Sequence, residues 1–399
     1  MKKLKQIFSL TLIFTLVVII YGCNQSAAPS LYELEPKGAT PVITSLSPAS
    51  EGLAGVTDIT INGSNFSNVK EDNLVFFGSI RATVIDAQAT KLIVKAPALI
   101  KNDLDVKIAV NGVENFSNVV KYNLLEAVGV YYAFAKGVDD PMSLTVDKNE
   151  NLYVSLLDKG IKKISSAGTL TDYAPKGGES FWTDLKMGPN NILYGARNVR
   201  ALFTVSEGAL GQTFAVLPTG LVLTTLDFDA NGNIWTSGSG GSIYSVVVSS
   251  KVATAFAIDY VVSSLRVYNG YLYVAGAKDT EEAIYRYKIN SNTSLGAQEK
   301  VFDIGAAYGL KKVTIGSITF AEDGDLIVGT NRTDAFLLIK NGNASTMYSG
   351  LCSPSVKSIG FGTKKNLFYV REYTEGTSIY HSIVRVDMQK LSAPYYGRN

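Results

Sequence analysis

Histidine and cysteine, which carry much of the nucleophilic and metal chemistry of enzymes, are nearly absent from this sequence. The 399 residues include one histidine, His381, and two cysteines, Cys23 and Cys352. A serine or cysteine nucleophile activated by histidine, or a zinc site built from several histidines, therefore has no support. His381 precedes a short β-type run, and we interpret it as an ordinary loop or rim residue. Any catalysis would have to depend on carboxylates.

Carboxylate, lysine and aromatic side chains occur close to the starts of predicted strands or in the loops between them, and these are the candidate ligand-binding residues. Flat aromatic rings in a polar setting suit sugar rings or a protein strand. A hard cation would need several oxygen ligands that converge on one point. The later β-runs offer Ser, Arg, Thr and Lys there instead, so we predict no bound metal and no cofactor. The candidate ligand-binding residues are Asp140, Trp182, Asp184, Tyr260, Tyr308 and Lys357.

A β-rich unit recurs along the second part of the chain and must position these candidates. Its aligned apolar residue steps along the chain by 41, 41, 38, 54 and 41 positions. The residues at this position are Leu152, Leu193, Ile234, Leu272, Leu326 and Leu367. A period near 40 residues that consists of strands is typical of a β-propeller with one four-stranded blade per repeat. The six copies predict six blades.

Two segments outside the regular repeat lead to further predictions. The run 129–134 precedes the strands of the first blade. We expect it to be the outer strand of the sixth blade, because propellers commonly close by pairing strands from the two ends of the array. The 54-residue step comes from residues 290–312, which are rich in Ser, Asn and Gly. We predict a surface loop there.

Residues 41–125 have a different pattern, with about seven short strands separated by turn signals, which predicts an immunoglobulin-like sandwich. The segments PVITSLSP (41–48) and ITINGSNF (59–66) resemble the opening of an IPT/TIG domain. The resemblance implies a structural or recognition module, as in cell-surface receptors, transcription factors and bacterial surface proteins. A simple spacer is the alternative. Gly63 and Asn65 would permit a tight turn in either case.

The propeller units of residues 126–399 resemble NHL-type and gluconolactonase-type repeats. The best copies are PMSLTVDKNENLYV (141–154) and LDFDANGNIW (226–235). The gluconolactonase resemblance implies a divalent cation held on the central axis by Glu, Asn and Asp. A metal-dependent lactonase is therefore one alternative for the function. Asp147 and Asp229 recur in register before a turn, where Asp caps its own backbone, and we interpret them as structural.

The first 40 residues have the features of an export signal. Three lysines precede an apolar stretch from Ile7 to Ile20, as in a secretory signal peptide of residues 1–22. The ending IYGC (20–23) resembles a bacterial lipobox, which implies a lipid-modified Cys23 and a tether of residues 23–40. An ordinary signal peptide is the alternative. Cys352 would then be unpaired, and we interpret it as a small buried apolar residue.

These features predict an all-β lipoprotein with an IPT/TIG sandwich and a six-bladed propeller. Loss of three signal-peptide lysines would take the net charge from +2 to −1, so a nucleic-acid partner is not expected. We predict a monomer that is lipid-anchored in the bacterial envelope, in the outer membrane, and that binds a glycan or a protein without catalysis. The alternatives are a metal-dependent hydrolase and a scaffold in an envelope assembly.

Overall fold

The computed structural model describes residues 38–178, 180–308 and 315–398. The chain divides into two compact units: one comprises residues up to Gly52 and Thr57–Leu124, and the other comprises Leu53–Val56 and the residues from Leu125 onward. The expected signal peptide (1–22), Cys23 and residues 24–37 of the expected tether lie outside the described residues.

The first unit is a sandwich of two antiparallel sheets. Its strands are β1 (Val42–Ser47), β2 (Glu51–Leu53), β3 (Asp58–Ser64), β4 (Asn73–Phe77), β5 (Ile80–Arg81), β6 (Thr83–Gln88), β7 (Lys91–Lys95), β8 (Lys101–Val110) and β9 (Val120–Leu125), with a 3-10 helix at Lys70–Asp72. The sheet orders are β1-β3-β7-β6 and β2-β9-β8-β4-β5. Ile59 and Ile61 alternate along β3 with more exposed residues and are fully buried, because one face of each sheet forms the core.

The end of β3 and the turn after it contain the two residues that the sequence singled out, Gly63 and Asn65. Asn65 has a φ of 61°, which asparagine tolerates better than most residues. Gly63 is required for a different reason: a Cβ atom on it would lie 1.9 Å from the carbonyl oxygen of Val42. The neighbouring strand β1 therefore approaches too closely for any other residue.

The second unit is a six-bladed propeller, which confirms the predicted fold class. Each blade is a four-stranded antiparallel sheet, and the innermost strand begins each blade along the chain. The strands are β10 (Val128–Ala133); β11 (Pro141–Val146), β12 (Leu152–Leu156), β13 (Gly160–Ile164) and β14 (Leu170–Ala174) in blade 1; β15 (Trp182–Met187), β16 (Leu193–Arg197), β17 (Ala201–Val205) and β18 (Gln212–Val216) in blade 2; β19 (Val222–Phe228), β20 (Ile234–Ser239), β21 (Ser242–Val246) and β22 (Ala253–Ala257) in blade 3; β23 (Val261–Tyr268), β24 (Tyr271–Lys278), β25 (Glu281–Ser291) and β26 (Ser294–Asp303) in blade 4; β27 (Ile315–Phe320), β28 (Leu326–Thr330), β29 (Phe336–Lys340) and β30 (Asn343–Thr346) in blade 5; and β31 (Val356–Phe361), β32 (Asn366–Glu375) and β33 (Ser378–Asp387) in blade 6. Short helices occur at Pro189–Asn191, at Ile304–Tyr308 (α1) and at Tyr396–Arg398.

The ring closes as predicted, with β10 as the outer strand of blade 6. This strand pairs antiparallel with β33, from Val128 opposite Val386 to Ala133 opposite Ser382. The blade therefore combines strands from both ends of the propeller, and the outer edge of β33 is not left unpaired.

The predicted surface loop at residues 290–312 is wrong for most of its length. Strands β25 and β26 are eleven and ten residues long and form an extended hairpin, followed by α1. Only the two residues between the strands, Asn292 and Thr293, make the turn. The polar composition reflects an edge strand, because half of the residues of β26 are exposed and none is buried.

Candidate functional site

The innermost strands of the six blades run in the same direction around the central axis. We call the side on which they begin the upper face and the side on which they end the lower face. Their inner edges carry backbone groups that no strand of the same blade can pair. Side chains of the preceding blade take this role: Ser358 Oγ accepts the N–H of Leu144 at 3.1 Å, and Ser264 Oγ accepts the N–H of Ile318 at 3.1 Å.

Every innermost strand has a bulge one or two residues after the first residue that pairs with the second strand. The register skips a residue at the same place in each blade. A bulge re-aims the side chain of the extra residue. The six bulge residues are Met142, Thr183, Thr224, Ser263, Gly316 and Lys357. Lys357 is therefore the single charged residue in a set of neutral ones at the upper face.

Lys357 is the centre of a polar cluster between blades 6 and 1. Its Nζ donates to Asp140 Oδ1 at 2.9 Å and lies 3.2 Å from Glu372 Oε2. His381 Nε2 lies 3.2 Å from the same Glu372 oxygen and 3.5 Å from Asp140 Oδ1. We call Asp140, Lys357, Glu372 and His381 the upper-face cluster. Asp140 lies directly before β11, and Lys357 is the bulge residue of β31. Glu372 and His381 are directly opposed on β32 and β33.

The upper-face cluster combines a buried base with solvent-accessible carboxylates. The side chain of His381 is 6% exposed, whereas those of Asp140 and Glu372 are 40% and 38% exposed. Burial raises the pKa of Glu372, but Lys357 and the hydrogen bond with His381 outweigh burial and hold that pKa below its ordinary value. A ligand that approaches the upper face would therefore meet ionised carboxylate oxygens together with the lysine ammonium group.

Both ring nitrogens of His381 face hydrogen-bond acceptors. Nδ1 lies 3.2 Å from the backbone oxygen of Asp139, and Nε2 faces the carboxylates of Glu372 and Asp140. The sequence interpretation of His381 as a loop or rim residue is wrong, because it lies within β33 and is buried.

The sequence thus identified Asp140 and Lys357 and missed their partners Glu372 and His381. Glu372 and His381 lie near the end of the β32–β33 hairpin, outside the part of the blade that recurs about every 41 residues. Comparison of the repeats therefore did not reveal them. A usable signal was present in the length of the β-type run 366–375, which extends beyond the corresponding run of the other blades.

Asp184 has a structural environment. Its Oδ2 accepts the N–H of Leu226 at 3.0 Å and the hydroxyl of Thr225 at 3.2 Å, and Lys186 Nζ lies 3.0 Å from Oδ1. The carboxylate thus accepts a hydrogen bond from a backbone N–H at the inner edge of β19 in the next blade, as the Ser358 and Ser264 hydroxyls do elsewhere in the ring. Its oxygens are already used, and its side chain is only 10% exposed.

The aromatic candidates are packed against protein groups. The ring of Trp182 is covered by the Arg197 guanidinium at 4.3 Å and by the edge of Phe203 at 5.6 Å. Trp182 lies within β15 and is buried. A stacking platform for a sugar is therefore not available at Trp182 in this conformation.

Tyr260 and Tyr308 likewise have protein partners. Tyr260 is buried, stacks on Tyr285 at 4.8 Å and shares a 2.7 Å hydrogen bond with Tyr287. The Arg332 guanidinium lies 4.0 Å from the ring centre of Tyr308. The structure therefore brings Asp140 and Lys357 together and gives the other four candidates separate environments.

Metal and thiol chemistry receive no support from the described part of the chain. Among its residues, no three His, Cys, Asp or Glu side chains form a group that could hold a metal ion. Cys352 is buried, as predicted, and burial raises its thiol pKa to about 12. No helix between residues 38 and 398, within the described ranges, is long and apolar enough to cross a membrane.

Comparisons with known proteins support this architecture. Residues 41–123 match the IPT/TIG domain, which confirms the resemblance in that segment. An auxiliary nutrient binding protein from Bacteroides thetaiotaomicron aligns with 87% of this chain and 98% of its own, at 13% identity and a TM-score of 0.52. A candidate phosphatase from the same organism aligns with 88% and 97%, at 11% identity and a TM-score of 0.56. Identities this low show a shared fold alone. No curated protein sequence matches this chain.

Proposed function

We propose that this protein binds a neutral or amino-substituted glycan, without catalysis, at the upper-face cluster of its propeller. The observation that carries the proposal is the Lys357 ammonium group held between the partly exposed carboxylates of Asp140 and Glu372. Carboxylates accept hydrogen bonds from sugar hydroxyls, and an ammonium group donates to sugar oxygens. Hydrogen bonds of this charge-assisted kind are stronger than neutral ones.

The charge of the cluster limits the class of ligand. Asp140 and Glu372 carry two negative charges, and Lys357 carries one positive charge. The cluster has no excess of positive charge, so a uronic or sialic acid would gain no net attraction. A neutral sugar or an amino sugar fits this balance better. A shared fold with a nutrient binding protein is consistent with a binding role.

The cellular setting is part of the same proposal. We infer an envelope lipoprotein in which Cys23 carries the lipid and the IPT/TIG domain lies between Cys23 and the propeller along the chain. The support is the lipobox-like ending IYGC (20–23) after an apolar stretch and the IPT/TIG match at 41–123. Mass spectrometry of the membrane-extracted protein would test it: a lipid-modified Cys23 is expected, and an unmodified N-terminus at another residue would contradict it.

A glycan array followed by titration calorimetry tests the binding proposal. Soluble protein that begins at Ala27 should bind a neutral or amino glycan saturably. Lys357→Met should weaken binding about 10- to 100-fold, because a hydrogen bond to a charged group contributes about 1.5–3 kcal/mol. Lys162→Met is the matched control, since Lys162 is similarly buried and also pairs with a carboxylate, Asp172, on β14.

Two results would contradict the proposal. One is equal loss of affinity in the Lys357→Met and Lys162→Met variants, and the other is a preference for acidic glycans. The metal-dependent hydrolase that the repeats suggested has no metal-ligand group behind it in the described residues, and the same titrations test it. Stoichiometric binding of Ca²⁺ or Zn²⁺ that Glu372→Gln abolishes, without sugar binding, would favour the hydrolase.

A further inference from the structure

Residues 392–398, which we call the axial segment, cross the lower face of the propeller. They contact all six innermost strands. The Ala393 N–H donates to Phe320 O at 3.0 Å on β27, and the Pro394 oxygen accepts from Arg266 Nη2 at 2.7 Å on β23. Arg398 Nη1 donates to Val146 O on β11 at 3.3 Å and to Phe361 O on β31 at 2.8 Å.

Gly397 brings the axial segment against the two remaining innermost strands. A Cβ atom on Gly397 would lie 2.3 Å from Met187 O at the end of β15 and 2.8 Å from Phe228 Cδ2 at the end of β19. It would also lie 3.0 Å from the Cα of Gly188. Blades 1 and 3 carry Asp147 and Asp229 at the position of Gly188. Blade 2 therefore lacks a side chain where the segment passes.

Tyr395 is the anchor of the axial segment. Its ring lies between two guanidinium groups, with Arg266 at 3.7 Å and Arg398 at 4.1 Å from the ring centre. Its hydroxyl shares a 2.8 Å hydrogen bond with Thr319. Burial raises the pKa of Tyr395, but Arg266, Arg398 and Lys186 outweigh it and lower the pKa below its ordinary value. Cation–π contact and hydrogen bonding thus recognise the side chain at both its face and its tip.

The groups that receive Tyr395 are held by the ring itself. Arg266 Nη1 donates to Asp227 Oδ2 at 2.6 Å and to the backbone oxygen of Val267 at 2.8 Å. Lys186 pairs with Asp184 on its own strand. These bonds do not involve the axial segment, so the receiving site is pre-organised, which lowers the entropic cost of binding a ligand.

We propose that the lower face of the propeller is a peptide-binding site whose occupant is the chain's own axial segment. The site takes a peptide of the type Pro-Tyr-Tyr-Gly-Arg: the tyrosine packs against Arg266 of the ring and against the peptide's own arginine, the glycine allows the close approach to β15, and the arginine reaches two strand-end carbonyls. The contacts are non-covalent, so the same peptide supplied separately should bind once the tethered segment is displaced.

The test uses the full chain with a single added methyl group. Gly397→Ala should prevent the axial segment from seating, because the nearest atom, Met187 O, belongs to the backbone of β15 and cannot yield cheaply. Gly177→Ala is the matched control, since its new Cβ would meet a side-chain methyl of Leu210 at 3.0 Å. A fluorescent peptide of residues 391–398, LSAPYYGR, is titrated into each protein and followed by anisotropy.

The expected result is saturable one-to-one binding to the Gly397→Ala protein. Binding to the wild type and to Gly177→Ala should be at least about tenfold weaker, because a tethered segment competes at an effective concentration in the millimolar range. A peptide with alanine in place of its glycine should not bind. Light scattering on the same samples distinguishes exchange of segments between two copies, which would also support the site.

A folded Gly397→Ala protein that does not bind the peptide would overturn the proposal. If Gly397→Ala does not fold, Tyr395→Ala repeats the measurement, since it removes the anchor without adding an atom. If neither variant folds, the ring depends on the segment and the site is not separable, which also contradicts the proposal. Equal binding of the peptide to the wild type, Gly397→Ala and Gly177→Ala would indicate non-specific association and would likewise refute the proposal.

Discussion

Arg266→Met should destabilise the propeller far more than loss of an ordinary salt bridge. Arg266 is 1% exposed and its partner Asp227 is 2% exposed, with Nη1 and Oδ2 only 2.6 Å apart. Removal of the cation leaves the Asp227 carboxylate buried, with the Val267 N–H still donating to it at 2.8 Å. Removal of one partner of a buried pair costs about 3–5 kcal/mol. At about 2–4 °C per kcal/mol for a large domain, Tm should fall by about 6–20 °C.

Differential scanning calorimetry measures this change, and Arg286→Met is the control. Arg286 also pairs with a carboxylate, Glu299 at 2.6 Å, but both side chains are more than a third exposed. A surface pair contributes about 0–1 kcal/mol, so the control should move Tm by no more than about 4 °C.

A second variant separates the charge from the packing. Replacement of both partners, Asp227→Leu with Arg266→Met, should restore part of the lost stability, because no uncompensated charge is left inside the protein. The reasoning is refuted if Arg266→Met loses no more stability than Arg286→Met. It is also refuted if the double variant is less stable than Arg266→Met, because the penalty would then not come from a buried unpaired carboxylate.

Three further predictions each depend on the surroundings of a single residue. Cys352 should react with a thiol reagent at pH 8 only after denaturation, because burial raises its pKa to about 12; rapid labelling of the native protein would contradict this. Gly63→Ala should destabilise the sandwich by about 1–3 kcal/mol or more, since its Cβ would meet Val42 O at 1.9 Å, and calorimetry measures the change. The lowered pKa of Glu372 adds stability at neutral pH that is lost as the pH falls through that pKa. In Lys357→Met the folded-state pKa of Glu372 lies closer to its unfolded value, so melting curves should show a smaller loss of Tm on acidification than in the wild type; an equal loss would contradict this.

The repeat made the propeller predictable, and the same repeat explains what was missed. Leu152 and its five counterparts are buried at equivalent places, so an apolar period was sufficient to count blades. The closure of the ring by β10 was also predictable, because a β-strand that precedes the first blade must pair with another strand to avoid an open edge. The pairing of Lys357 with Asp140 joins blades that are 217 residues apart in sequence, and no local pattern reports such a distance. Position before a strand was the reason for choosing both residues, but it did not show that they meet.

The aromatic candidates show a second limit of sequence reasoning. Trp182 and Tyr260 stand at or beside the start of an innermost strand, where a ring can serve as a ligand platform or as packing between blades. The deciding partners, Arg197 over Trp182 and Tyr285 against Tyr260, come from second and third strands whose side-chain directions depend on the twist of each blade. The sequence pattern indicates which side chains share one face of a strand. Which of the two faces packs against the adjacent blade depends on tertiary packing.

The two ends of the central axis carry different chemistry, and this difference links the two proposals. The upper-face cluster presents partly exposed carboxylates and an ammonium group, whereas the axial segment occupies the lower face with Tyr395 between Arg266 and Arg398. If ligand reaches the protein from the upper face, Gly397→Ala should leave glycan affinity unchanged within about twofold, because the two sites share no residue. If Gly397→Ala instead raises glycan affinity, the axial segment competes with the ligand. The glycan site would then lie at the lower face, and the assignment to Lys357 would be wrong.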